Sequence, residues 1–297
     1  MGVDPHPLRG MALLLCSLFF FAALDATAKY LAATYSVPLL VWARYLVHCL
    51  LMVVFLAPRH GWTLLATRRL PAQALRGLML VGCTGCGIAA LSRMPLAETT
   101  AVAFSAPLIV ALLAGPWLGE RLPPARWAAI VIGFLGVLLI ARPGGYVTLA
   151  GVVLALLAAT FYAIYQILTR QLASTERTVT MVFYTALAGT VCMSPLLPWF
   201  WRDLPAIPAG DALLICALGL LGGSGHYLLT RAFRHAPASM LSPFIYVQLI
   251  WATLLGAAVF GHWPDAFSFA GMAVIVACGL WLALSARRPN PDRGTDG

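Results

Sequence analysis

Asp25 and Lys29 stand four residues apart in "FFFAALDATAKYLA", Phe19 to Ala32, a stretch otherwise almost wholly apolar. Positions i and i+4 share one face of a helix, so the two charges can pair. A charged side chain at the centre of a bilayer costs at least about 2.5–3.5 kcal/mol, and only a partner, a proton or water lowers that cost. Arg44, in "VWARYLV" of the next apolar run, supplies a second partner, because at about 1.5 Å per residue it falls at a depth similar to that of Asp25. Two chemistries fit this trio. One is a structural salt bridge that locks the first two helices. The other is a polar anchor for a charged substrate, or a protonatable site. Lys29 is the only lysine of the chain. A compact ammonium suits a titrating or substrate-contacting role better than an ever-charged guanidinium, and its other use is to snorkel to the interface.

Further polar groups sit in the same unfavourable setting. His48 is one turn beyond Arg44, and His226 lies in "LLGGSGHYLLTR". Each is either a hydrogen-bonded helix contact or a proton relay near neutral pH. Gln166 and Gln248 are the neutral candidates for the same cavity. Glu98 is expected to pair with Arg93. Trp42, Tyr162, Tyr184, Tyr246 and Trp251 lie within apolar runs rather than only at their ends, where lining for an amphipathic or aromatic substrate is one use. Trp199, Trp201 and Trp263 fit the interfacial belts that take most Trp and Tyr. Cys83 and Cys86 form one C-x-x-C without a second pair, which reads as packing, because structural zinc needs four ligands. The pattern calls for no metal and no cofactor.

The elements that must hold these residues follow from composition. The 297 residues are 61% hydrophobic and 10% charged, against about 25% charged in soluble domains, so the chain cannot cover itself with polar surface and its solvent is lipid. Ten apolar runs are expected to be helices: 11–34, 37–57, 75–91, 96–118, 127–141 (starting as early as Pro124), 149–172, 179–200, 212–229, 240–260 and 267–285. The first reads as a transmembrane helix and not a cleavable signal. The net charge of +9 sits in short loops, which is a topology signal and not a nucleic-acid patch. Arg9, Arg59, Arg68, Arg69, Arg76, Arg121, Arg126, Arg170, Arg177, Arg231, Arg234, Arg287, Arg288 and Arg293 fall on one side; Lys29, Arg93, Arg142 and Arg202 fall on the other. Both termini are therefore expected in the cytoplasm.

The chain also repeats itself. "GMALLLCSLFFFAALDATAKYLAAT" from Gly10 aligns with "GVVLALLAATFYAIYQILTRQLAST" from Gly151, pairing Asp25 with Gln166 and Lys29 with Arg170. "ALSRMPLAETTAVAF" aligns with "AFRHAPASMLSPFIY", pairing Pro95 with Pro237; further on, Gly119 falls on Gly261. The expected fold class is an all-α integral membrane protein, its ten transmembrane helices forming two five-helix repeats, residues 1–145 and 146–297. Five is odd, so the halves are inverted, with a central cavity between them. Pro107, Pro116 and Pro243 are expected as kinks or hinges. Gly222 and Gly223 are expected as close-packing positions, since their glycine cluster lacks the Lys-Ser/Thr of a phosphate loop.

"MPLAETTAVAFSAPLIVALLAGPWLGERL", with Pro95, Ala97, Pro107, Gly119 and Glu120, together with Arg44 in "VWARYLV", resembles the EamA branch of the drug/metabolite transporter superfamily over essentially the whole chain. The second half departs from the pattern: His262 stands where the first half has Glu120, and Leu249 falls opposite Pro107. The resemblance implies a multi-pass carrier of small metabolites in the bacterial inner membrane, often an exporter of amino acids or related compounds. Some relatives instead take up vitamin-like compounds such as riboflavin. No ATP-binding motif appears, so the expected driving force is a gradient of substrate or of protons. The expected partners are lipid and a small molecule. An intramembrane enzyme or lipid-handling protein is the reading from another class; neither H-E-x-x-H nor a nucleophile–base pair supports it.

Overall fold

In the computed structural model, residues 7–118, 123–142, 147–172, 175–201, 204–236 and 238–285 are described, and these are helices and short connections. They are α1 (Pro7–Leu31), α2 (Val37–His60), α3 (Leu70–Leu91), α4 (Leu96–Ala103), α5 (Ala106–Leu118), α6 (Pro124–Ile140), α7 (Leu149–Leu172), α8 (Thr178–Met193), α9 (Leu197–Trp201), α10 (Ala209–His235), α11 (Ala238–Leu241), α12 (Val247–Phe260) and α13 (Ala266–Ser285). Among the described residues, eight stretches are long and apolar enough to cross a membrane, and Pro124–Ile140 and Phe244–Phe260 are shorter apolar helices. The apolar surface turns outward as well as inward. On α6, Val131, Leu135 and Leu138 are exposed while Ile130, Val137 and Ile140 are buried, which suits a helix with lipid on one side and protein on the other.

Two of the ten expected runs are broken near matching points. Pro107 has no N–H for the carbonyl of Ala103 and its ring crowds that turn, so α4 ends there and α5 begins at Ala106. In the second half a 3₁₀ stretch, Ser242–Tyr246, contains Pro243 and separates α11 from α12. Phe104 and Tyr246, at the two breaks, touch each other with ring centroids 5.3 Å apart. Pro116 makes no comparable break, because α5 stays helical through Leu118. The run at 179–200 is also interrupted, with a 3₁₀ turn at Ser194–Leu196. Gly119, Glu120 and Pro237 lie outside the described residues.

The helices pair in a pattern that survives exchange of the two halves. α1 packs on α10 as α7 packs on α3; α2 packs on α10 as α8 packs on α3; α1 packs on α12 as α7 packs on α4 and α5. α6 and α13 pack on each other through Gly136 and Gly271, where a Cβ on Gly136 would come 2.9 Å from the Gly271 carbonyl oxygen. Small residues let membrane helices approach this closely. Lys29, near the end of α1, bonds to Met94 ahead of α4, and Met94 in turn lies against Gly151 near the start of α7. α1 and α7 therefore run antiparallel.

Candidate functional site

The polar side chains of the apolar runs converge on a void of about 20 Å³ lined by Arg44, Tyr45, His48, Leu80, Tyr165, Val182, Thr185 and His226. Four helices supply these groups: α2, α3, α7 and α8, with α10 adding His226. Gly222 and Gly223 of α10 make the room. A Cβ on Gly222 would lie 3.5 Å from Arg44 Nε, and one on Gly223 would lie 3.3 Å from His48 Cδ2. These two glycines accommodate polar side chains, not a neighbouring backbone as expected. The tight backbone approach falls one turn earlier, at Gly219, whose Cβ would lie 3.0 Å from the Arg44 carbonyl oxygen.

His48 and His226 stack in parallel with centroids 6.5 Å apart, and Phe21 of α1 meets His226 edge-on at 5.0 Å. Arg44 lies over the Tyr45 ring at 5.8 Å. Tyr45, fully buried, shares a 2.9 Å hydrogen bond with Thr84. Asp25 accepts a 3.4 Å hydrogen bond from Gln248 Nε2 and lies within electrostatic reach of Arg44. Among the described residues, however, Asp25 forms no ion pair with Arg44 or Lys29. The expected salt bridge between the first two helices is thus replaced by a bond from Gln248, on a helix of the second half. Tyr162 stacks on Tyr165 at 5.8 Å. Gln166, the sequence counterpart of Asp25, follows on the same helix.

Four expected site residues lie elsewhere. Trp42 donates to Ser194 Oγ at 3.1 Å and meets Trp201 edge-on at one rim. Tyr184 donates to the Leu65 carbonyl at 2.9 Å at the other rim. Trp251 packs on Phe19 at 5.2 Å within the apolar cluster of Leu14, Leu18 and Leu241. Tyr246 sits at the helix break. Position in an apolar run does not report which face an aromatic ring takes, and these four do not line this void.

Lys29 also leaves the central void. It does not pair with Asp25; it reaches the rim at the end of α3, where it donates to the carbonyls of Leu91 at 2.7 Å and Met94 at 2.8 Å. Carbonyls at a helix C-terminus lack intrahelical donors, and a cation there is favoured. Lys29 lines a separate rim cleft of about 370 Å³ with Ser92, Arg93, Met94, Pro95, Leu96, Gly256, Phe260 and His262. Beside that cleft, Glu98 bonds to His262 Nε2 at 3.2 Å. Arg93, its expected partner, instead donates to the Ala89 carbonyl.

The arginine bias counts Arg76 with the charges of one side, at the very start of the expected run 75–91. It is 2% exposed, on the second turn of α3, which starts five residues before the apolar run does. Its guanidinium donates to Thr169 Oγ1, Met181 O, Thr185 Oγ1 and Tyr165 Oη at 2.7–2.8 Å and lies over the Tyr165 ring. Every one of these partners is neutral. The polar positions Tyr165 and Thr169, one turn apart on α7, were the available signal. The void is lined by Arg44, two histidines and Tyr165, whose hydroxyl accepts from Arg76; at about 20 Å³ it has room for about one water molecule, so these groups meet a larger polar guest only when the helices part. The described residues contain no cluster able to hold a metal ion.

Known proteins agree with this architecture. The chain is 30% identical over 273 residues to the pseudopaline exporter CntI of Pseudomonas aeruginosa, covering 91% of this chain and 94% of that protein. It is 27% identical to the S-adenosylmethionine uptake transporter of Rickettsia felis, covering 95% and 94%. It is also 27% identical to the riboflavin transporter of Vibrio cholerae, covering 93% of each chain. A solved crystal structure superposes with a TM-score of 0.62 at 20% identity, covering 94% of this chain and 96% of its own, which supports the fold. The profile of the EamA-like transporter family matches residues 8–142 and again residues 149–285. The chain belongs to the EamA-like transporter family, a multi-pass membrane transporter of small molecules.

Proposed function

We propose that this transporter carries a small metabolite bearing both charged and apolar parts through the central void by alternating access, with export from the cytoplasm as its direction. The observation that carries the reading is Arg44 lining a void between helices of both halves, with Asp25, bonded to Gln248, within electrostatic reach of Arg44 and not ion-paired to it. Such a pair is poised to exchange its present neighbours for the charged ends of a cargo. We take the architecture as ten crossings in two inverted five-helix repeats, 1–145 and 146–297, with both termini cytoplasmic. The exchange symmetry of the helix pairs and the antiparallel course of α1 and α7 support the inversion; the arginine bias supports the orientation.

Flux in sealed proteoliposomes tests the function. Labelled amino acids, S-adenosylmethionine and riboflavin are offered on one side, and the cargo should cross unchanged and exchange with unlabelled cargo. Chemical conversion, or no flux with any such compound, would sink the reading. A cytoplasmic N-terminus with a periplasmic C-terminus, read by end-fused reporters, would sink the ten-crossing topology. A second reading is uptake of an aromatic, vitamin-like compound such as riboflavin. The stacked Tyr162 and Tyr165 beside the void favour it, and the same screen separates it by which cargo moves and in which direction.

A further inference from the structure

Glu98 is the most enclosed carboxyl among the described residues, 1% exposed and set in α4, where every neighbour from Leu96 to Val102 is buried. One carboxyl oxygen, Oε1, meets His262 Nε2 at 3.2 Å; the other, Oε2, is buried with no hydrogen-bond partner. An ionised carboxyl would need both oxygens satisfied, whereas a buried acid tolerates this setting far better. The His262 side chain is 19% exposed against 2% for Glu98, and His262 lines the rim cleft. Water therefore reaches the imidazole, and the imidazole reaches the carboxyl.

The surroundings are accounted for element by element. Lys29 of α1 lies within electrostatic reach of Glu98 and is held by the carbonyls of Leu91 and Met94. Arg93, in the turn between α3 and α4, is bonded to Ala89 and Ser92. Arg142, after α6, pairs with Asp265, before α13. α12 and α13 carry no charged side chain, and the first on α7 is Arg170, at the opposite end. Among the described residues, the other carboxylates at this end of the bundle are engaged: Asp265 pairs with Arg142 and Asp211 accepts from Tyr35.

We propose that Glu98 and His262 form a proton-binding site beneath the rim cleft: Glu98 holds the proton as a neutral acid, and His262 conducts it to and from water. The site is distinct from the central void and does not depend on which metabolite is carried. It ties α4 of the first half to the segment after α12 of the second, so its proton occupancy acts on the contact between the two broken helices.

Infrared difference spectroscopy of the purified full-length protein, titrated with acid and base without any cargo, tests the site. The parent should show a carboxyl C=O band that grows on acidification. Glu98→Gln should lose that band while eluting as a folded monodisperse species. His262→Asn should keep the band at a changed frequency, because the carboxyl has lost its imidazole partner. If Glu98→Gln does not fold, the His262→Asn arm decides alone. A carboxyl region insensitive to pH, a band that survives Glu98→Gln, or a frequency unchanged in His262→Asn overturns the proposal. None of these readouts involves flux, so a failure here is separable from a failure of the carrier reading.

Discussion

With Gln248 as its hydrogen-bond partner and no ion pair to Arg44, Asp25 loses little structure when its charge is removed. An amide is cheaper than a carboxylate to hold away from water, and Gln248 can still bond to it. Asp25→Asn should therefore melt within a few degrees of the parent, a change on the order of 0.5 kcal/mol, yet lose most cargo flux. Adding Arg44→Gln should not restore flux. A marked fall in melting temperature that the double variant reverses would mean that the two residues are a structural pair after all. The residue types at this site were legible, because a charge in an apolar helix advertises its cost: Asp25, Arg44, His48 and His226 were all found in the sequence and lie at or beside the void. Partners were not legible. Gln248 and Asp25 are 223 residues apart, and no local spacing joins them. Arg76 illustrates a related point: the charge bias reads it only as a mark of sidedness, and only tertiary packing shows its four neutral acceptors.

Helices carry a second class of expected outcome, because the glycines of α10 serve different neighbours. On Gly219 a Cβ would lie 2.5 Å from Val47 Cβ and 3.0 Å from a backbone oxygen of α2. Gly219→Ala should lower stability by about 1–3 kcal/mol through overpacking. On Gly222 the nearest atoms are the Arg44 guanidinium at 3.5 and 3.7 Å, an ordinary contact. Gly222→Ala should leave thermal stability unchanged or slightly raised, since alanine favours a helix interior by about 1 kcal/mol over glycine. It should nonetheless slow flux, because Arg44 loses room. Equal stability losses in both variants would refute the distinction. The sequence showed the glycine cluster but not the face each glycine takes. The breaks at Pro107 and Pro243 were readable as proline effects, whereas Pro116 looked the same and does nothing comparable. At the start of α13, Asp265 Oδ1 accepts from the Ser268 amide at 2.8 Å. That bond first, and Arg142 as well, hold the Asp265 carboxyl below the usual range. A lowered folded value means that the stabilisation is full above the unfolded value, about 3.9, and fades as pH falls through the folded one. Asp265→Ala should cost about 1 kcal/mol near neutrality, as lost caps do, and the difference from the parent should shrink in acid. A gap that stays constant down to the acid limit of folding would argue against the cap.

Across the whole molecule, polar contacts close the bundle at both ends while the middle stays nearly shut. At one end Lys29 binds the turn after α3, Tyr35 donates to Asp211 at 2.7 Å, and Arg142 pairs with Asp265. At the other, Tyr184 reaches Leu65, the Gln73 amide reaches Glu176, and Arg76 joins α3 to α7 and α8. The rim cleft and the central void share no lining residue, so passage requires one set of contacts to yield and connect them. Lys29 is the group whose release is most local, because both of its acceptors are carbonyls of one turn, Leu91 and Met94. Lys29→Met keeps the length of the chain and removes every donor. Hydrogen–deuterium exchange should then quicken in residues 91–96, where the amides of Ser92, Arg93 and Met94 are held only by the last turn of α3. Exchange around residues 169–185, at the opposite end, should stay as in the parent. Simultaneous loosening of both ends would mean that Lys29 supports the fold globally, and unchanged exchange in residues 91–96 would show that its two bonds do not hold this end closed. Loosening confined to the Lys29 end is the signature of a contact that can open one side of the carrier while the other remains sealed.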